Sequence, residues 1–106
     1  MAMYYDRNGE PLADTAAWGA LFHDRRYQRV ARTVLPSGIL ISTVWLGIDH
    51  NFSGQGPPII FETMVFDSEE SLTDLDVCRY ATEVEALFGH EVMVKNWMHV
   101  RREADE

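Results

Sequence analysis

A chain of 106 residues, 46% apolar and 11% aromatic, is long enough to bury one sizeable core and too hydrophobic to stay unfolded, so a single domain is expected. Its one cysteine, Cys78, rules out an internal disulfide and fits a reducing compartment, while no apolar run approaches the roughly 18 residues of a membrane-spanning helix. The net charge of −8 argues against direct binding to nucleic acid, which depends on Lys and Arg displacing counterions from phosphate.

The chain opens with Met3-Tyr4-Tyr5, a short strand, and Asn8-Gly9, a turn dipeptide, which together predict an edge hairpin. Asp14 is placed to cap a helix over residues 15–23, whose Trp18, Leu21 and Phe22 fall at i, i+3 and i+4 and share one face. Residues 24–28 turn the chain, residues 29–35 read as a strand, and Pro36-Ser37-Gly38 is a tight turn into an antiparallel neighbour. Residues 39–46 and 59–66 are rich in β-branched and aromatic side chains and form the two central strands. In the first, Ile39, Ile41, Thr43 and Trp45 share one side and Leu40, Ser42, Val44 and Leu46 the other. Neither row is clearly polar, so the strands are expected to be covered on one face and partly on the second. In the second strand Glu62 interrupts an otherwise apolar row.

Between these strands, residues 49–58 (DHNFSGQGPP) form a Gly/Pro-rich loop longer than an ordinary hairpin, and such loops often carry binding residues. Residues 67–76 (DSEESLTDLD) are expected to be an exposed acidic loop, with residues 77–80 a short last strand. Thr82-Glu83-Val84-Glu85 matches a capping box, opening a main helix over residues 83–102 with Arg101 and Arg102 in its last turn. Two apolar stripes fit this helix, one through Val84, Leu87, Phe88, Glu91, Val94 and Met98, the other through Ala86, Leu87, His90, Val94 and Trp97; both bury Leu87 and Val94. Gly89 within it costs about 1 kcal/mol relative to Ala, which points to a close approach to the sheet. Residues 103–106 are expected to fray. The expected architecture is α+β: a four- or five-stranded, mainly antiparallel sheet packed against a long C-terminal helix and a short N-terminal one.

The run STVWLGIDHNF followed by GPPIIFETMVF, with RNGEPL near the start and RYATEVEALFGH near the end, resembles a family of small proteins encoded in tailed bacteriophages and prophages. That family has no assigned activity, so the resemblance transfers no catalytic residues. It implies a phage accessory protein in the bacterial cytoplasm, a class of small acidic proteins that includes inhibitors of host defence such as anti-CRISPR proteins.

Charge distribution sharpens this expectation. Residues 1–35 carry five basic and four acidic side chains (+1), residues 36–66 only Asp49 and Glu62 (−2), and residues 67–106 eleven acids against four bases (−7). The leading reading is a non-enzymatic binding protein with no cofactor. Its acidic surface, Asp67, Glu69, Glu70, Asp74 and Asp76, would meet a basic groove of a host protein, one that normally holds nucleic acid. The loop residues Asp49, His50, Asn51 and Phe52 form a second contact region. The competing reading is a small enzyme or metal protein assembled from Asp49, His50, Glu62 and His90, because carboxylates and neutral imidazoles suit divalent ions. Against it, no HxH, HxxxH or HExxH spacing occurs, and adjacent Asp49 and His50 would point to opposite sides of a strand. SGQGPP lacks a phosphate-cradle pattern, and no serine sits in a nucleophile elbow. Cys78 is expected to be packed and unreactive, and Trp18, Trp45 and Trp97 to be core residues. A homodimer formed through an exposed strand edge or the aromatic helix face is compatible with either reading.

Overall fold

The stretches rich in β-branched and aromatic residues become one antiparallel sheet, β1 (Arg29–Val34), β2 (Leu40–Trp45), β3 (Phe61–Phe66) and β4 (Asp74–Tyr80), in the order β1-β2-β3-β4. The computed structural model describes residues 3–100. Helices α1 (Thr15–Phe22) and α3 (Glu83–Trp97) flank the sheet in sequence, with a single turn, α2 (Arg25–Gln28), leading into β1. The expected α+β architecture is therefore present, with four strands.

Side-chain alternation sorts the sheet into two faces. Ile39, Ile41, Thr43 and Trp45, with Phe61, Thr63 and Val65, are all buried on the side where α3 lies. They form two apolar clusters. One gathers Leu35, Ile39, Ile41, Val65 and Met93, with Val94 and Trp97 packed on it. The other gathers Trp45, Ile60, Phe61 and Ala86, and receives Trp18, Leu21 and Phe22 from α1, Tyr27 from α2 and Tyr80 from β4. Edge-on packing of Tyr27 against Trp45, ring centroids 5.0 Å apart, puts the helical N-terminal segment on the same face as α3. All three tryptophans are structural: the indole N–H donates from Trp18 to the Leu46 carbonyl, from Trp45 to Tyr5 and from Trp97 to Asp76.

Local signals explain the boundaries. Asp14 caps α1 by accepting from Ala17 N–H, Asp24 caps α2, and the Thr82–Glu85 capping box opens α3 with both of its reciprocal bonds made. The N-terminal segment makes only isolated bridges, Tyr5 to Pro11 and Tyr4 to Ile48, so the expected edge hairpin is reduced to a tight loop. Arg7 ties that loop to the body through Glu83 (2.7 Å) and the Tyr27 carbonyl (2.9 Å).

Several expectations need correction. Strand β4 begins at Asp74, so Asp74 and Asp76 belong to an edge strand and not to the preceding loop. Helix α3 ends at Trp97, short of Arg101 and Arg102; those two and residues 103–106 lie outside the described residues. Leu87 is 45% exposed, because the buried side of α3 runs through Ala86, His90 and Met93, about a quarter-turn away. Cys78 is exposed and not packed, lying on β4, which has a neighbouring strand on one side only. The open row of the sheet is partly covered, as expected: Leu40 and Glu62 are buried there and Val44, Met64 and Val77 half-buried.

Candidate interaction surface

The residues singled out for chemistry are each engaged separately. His90 is 2% exposed on α3, between the two apolar clusters. Its Nδ1 lies 2.7 Å from Thr43 Oγ1 and its Nε2 2.9 Å from Thr33 Oγ1, and Thr43 in turn bonds Thr63 at 2.6 Å. Burial holds the imidazole below its usual titration range and keeps it neutral, with a smaller opposing pull from Glu91. A neutral ring offers one donor and one acceptor, and both are used. Glu62 stands on the opposite face of the sheet, buried and paired with Arg79 at 2.8 Å. Asp49 accepts from the backbone N–H of Asn51 (2.7 Å) and Ile59 (3.0 Å), closing the base of the loop, and His50 Nδ1 lies 2.8 Å from the Ile48 carbonyl. Among the described residues no three His, Cys, Asp or Glu side chains are grouped to hold a metal ion. Asp49, His50, Glu62 and His90 thus stabilise separate places: a loop base, an open-face ion pair and a buried polar layer.

The loop over residues 49–58 is laced internally. Asn51 donates to the carbonyls of Gln55 (2.6 Å) and Pro57 (2.8 Å), and its oxygen accepts from the Ser53 backbone and hydroxyl. What this lacing presents is Phe52, 87% exposed at the tip.

Of the five acids in residues 67–76, two are engaged. Glu69 pairs with Arg32 across the sheet at 2.7 Å, and Asp76 accepts from Trp97 Nε1 and from Val77 N–H. Asp67, Glu70 and Asp74 are exposed and have no ion pair or side-chain hydrogen bond among the described residues. They lie on either side of Leu72 along the chain, and Leu72 is 96% exposed.

Residues that sequence reading passed over lie at the other end of the strands. A cleft of about 220 Å³ is lined by Arg25, Gln28, Arg29, Arg32, Ser42 and Val44, and one of about 320 Å³ adjoins it between Arg25, Arg26, Arg29 and Val30. Arg25, Arg26 and Arg29 have no acidic partner among the described residues. The signal was present in the +1 balance of the first third, which a total of −8 hides.

Comparison of the chain with protein-family models, with curated proteins and with solved structures finds no match to any of them. The functional reading therefore stands on the surface itself.

Proposed function

We propose that this protein acts by binding a basic partner protein through the acidic end of its sheet, Asp67, Glu70 and Asp74 around Leu72. One observation carries the reading: three carboxylates that have no ion pair or side-chain hydrogen bond among the described residues flank, along the chain, a leucine that is 96% exposed. Charged rims steer encounter and select partners, while a desolvated apolar centre supplies most of the affinity, and the segment offers both. Phe52, at the tip of its internally bonded loop, is a second anchor of the same kind, presented with little ordering left to do.

In line with the resemblance to phage-encoded proteins, the partner is a host protein in the bacterial cytoplasm with a basic groove that normally holds nucleic acid, and occlusion of that groove, as in inhibition of a host defence system, is the effect. Asp49, His50 and Asn51 serve this surface by shaping the loop and leave the contact to Phe52.

The test is capture of partners from host lysate by the wild-type protein and by the triple variant Asp67→Lys, Glu70→Lys, Asp74→Lys, with circular dichroism confirming an unchanged fold. Loss of a basic binding partner in the variant is the expected result. Retention of every partner by the folded variant would falsify the acidic-end reading.

A further inference from the structure

We infer that the arginine-lined clefts where α2 runs into β1 hold a diphosphate group, either as inorganic pyrophosphate or as part of a nucleoside diphosphate. The site uses none of the residues on which the basic-partner reading rests, so the two are independent.

Local structure gathers the arginines. Asp24 caps α2 by accepting from the backbone N–H groups of Arg26 and Tyr27, which starts a single turn and sets Arg25 and Arg29 about one turn apart. β1 follows without a break, and its register with β2 shifts by one residue at Val30: Arg29 is level with Val44, and Arg32 with Ser42. In a regular strand, residues three apart point to opposite faces. Val44 and Ser42 are two apart and share a face, so the extra residue brings Arg29 and Arg32 to the same side, while Val30 packs into the Trp45 cluster. Such a register shift re-aims a side chain, and here it adds a second arginine to one face.

The clefts carry donors and no acid. Arg25 and Arg29 border both, the cleft of about 220 Å³ with Gln28, Arg32, Ser42 and Val44, and that of about 320 Å³ with Arg26 and Val30. Four of the nine basic side chains of the chain are therefore here, and no carboxylate of the described residues lines either cleft. Asp24 is turned to the backbone, and Glu69 engages Arg32 alone. The guanidinium groups of Arg25, Arg26 and Arg29, the Gln28 amide and the half-buried Ser42 hydroxyl make no hydrogen bond or ion pair among the described residues. Like charges held together repel, and a chain with 17 acids has carboxylates enough to neutralise them. Donors that converge on a cleft and are left unanswered by the protein make a site for an anion.

The residue type and the layout narrow the anion. Guanidinium forks hold phosphoryl oxygens through paired N–H···O bonds, which fix geometry as well as charge. Each cleft has room for a tetrahedral oxyanion, whose four oxygens match about four waters at ~30 Å³ each. Because Arg25 and Arg29 are the wall common to both, two linked phosphoryl groups can sit one in each cleft and share them. No aromatic ring lines either cleft, so a nucleotide base gains no stacking there, and the diphosphate group is what the site selects.

Titration calorimetry of the full chain at an ionic strength of about 0.1 M, where charges more than about 10 Å away are screened, tests this. Inorganic pyrophosphate and ADP should each bind 1:1, orthophosphate should bind about tenfold or more weakly, and adenosine should not bind. Near-equal affinity shows that the shared group is all that is recognised, and a difference of about tenfold identifies the tighter of the two, free ion or nucleotide, as the source. Arg25→Gln with Arg29→Gln should weaken pyrophosphate binding by about a hundredfold, and Arg25→Lys with Arg29→Lys, which keeps the charge and loses the forks, by about tenfold. Both should keep the wild-type circular dichroism spectrum, since these side chains are exposed. Lys95→Gln, which removes a positive charge from α3 outside the clefts, should leave the affinity unchanged. Absence of 1:1 pyrophosphate binding, orthophosphate as tight as pyrophosphate, binding of adenosine, or undiminished binding by either double variant would each overturn the assignment. Because the basic-partner reading is tested by capture from lysate, the two can fail separately.

Discussion

His90 shows how one buried side chain organises its surroundings. Along β2 the inward row reads Ile39, Ile41, Thr43, Trp45, and along β3 Val65, Thr63, Phe61, so the threonines form a polar layer where α3 supplies the imidazole. Each polar atom is satisfied by the next, so removing one member strands the others in a dry setting. Thr43→Val leaves both His90 Nδ1 and Thr63 Oγ1 without this partner; a loss of about 1–3 kcal/mol in urea unfolding is expected, and Thr43→Ser should recover most of it. The layer is also acid-sensitive. The folded-state pKa of His90 lies below the ordinary 6.5, so its contribution is complete above 6.5 and is lost as pH falls through the folded value. The measurement is the difference in stability between wild type and His90→Gln from pH 7.5 to 5, which cancels groups common to both proteins and should shrink on acidification. The sequence placed Thr43 in one row with Ile39, Ile41 and Trp45, and His90 in one of the two apolar stripes of the helix. What it did not show was that the two threonines and the histidine share one level, because that depends on strand register and helix placement together.

At the scale of the element, α3 is set by its smallest residue. A Cβ added at Gly89 would overlap the Tyr80 ring, so the helix comes as close to β4 as backbone allows, and the sequence expectation of a close approach at this glycine holds. Ala is the better helix former by about 1 kcal/mol, yet Gly89→Ala should destabilise by about 1–3 kcal/mol because the ring has to move. The double variant with Tyr80→Leu should recover part of that loss, and denaturant midpoints of the three proteins decide it. Burial against α3 also pushes the Tyr80 hydroxyl up to about 12, with smaller effects from neighbours including Thr63, Cys78 and Asp76. A raised folded pKa stabilises the protein below 10 and ceases to as pH rises from 10 through 12, so alkaline unfolding of wild type should begin earlier than that of Tyr80→Phe. Two features of these elements were misread from sequence. Both candidate stripes contained Leu87, but contact through Ala86 and Gly89 rotates it to the outside. Asp74 and Asp76 look like loop residues by composition, whereas charges on a terminal strand are a common guard against pairing with other sheets. Caps were legible because Asp14 and the Thr82–Glu85 pair act within a few residues of themselves.

Across the whole molecule, two apolar clusters lie on either side of the His90 layer, and the distribution of helices between them is uneven. α1 and α2 contribute only to the Trp45 cluster, while the Ile41 cluster is closed by the last turns of α3. Such a division could melt in two steps if the clusters were joined only through loops. They are joined through β2 and β3, each of which runs from one cluster to the other, and through α3, which carries Ala86 in one and Met93 in the other. Breaking either cluster therefore breaks the strands and the helix that hold its neighbour, and a single cooperative transition is expected. The tryptophans provide the measurement: Trp18 and Trp45 report the first cluster and Trp97 the second. In Trp97→Phe and in the double variant Trp18→Phe, Trp45→Phe, fluorescence should follow urea unfolding with the same midpoint as far-UV circular dichroism of the same protein. Separate midpoints within either variant would mean that the polar layer divides the core and does not join it.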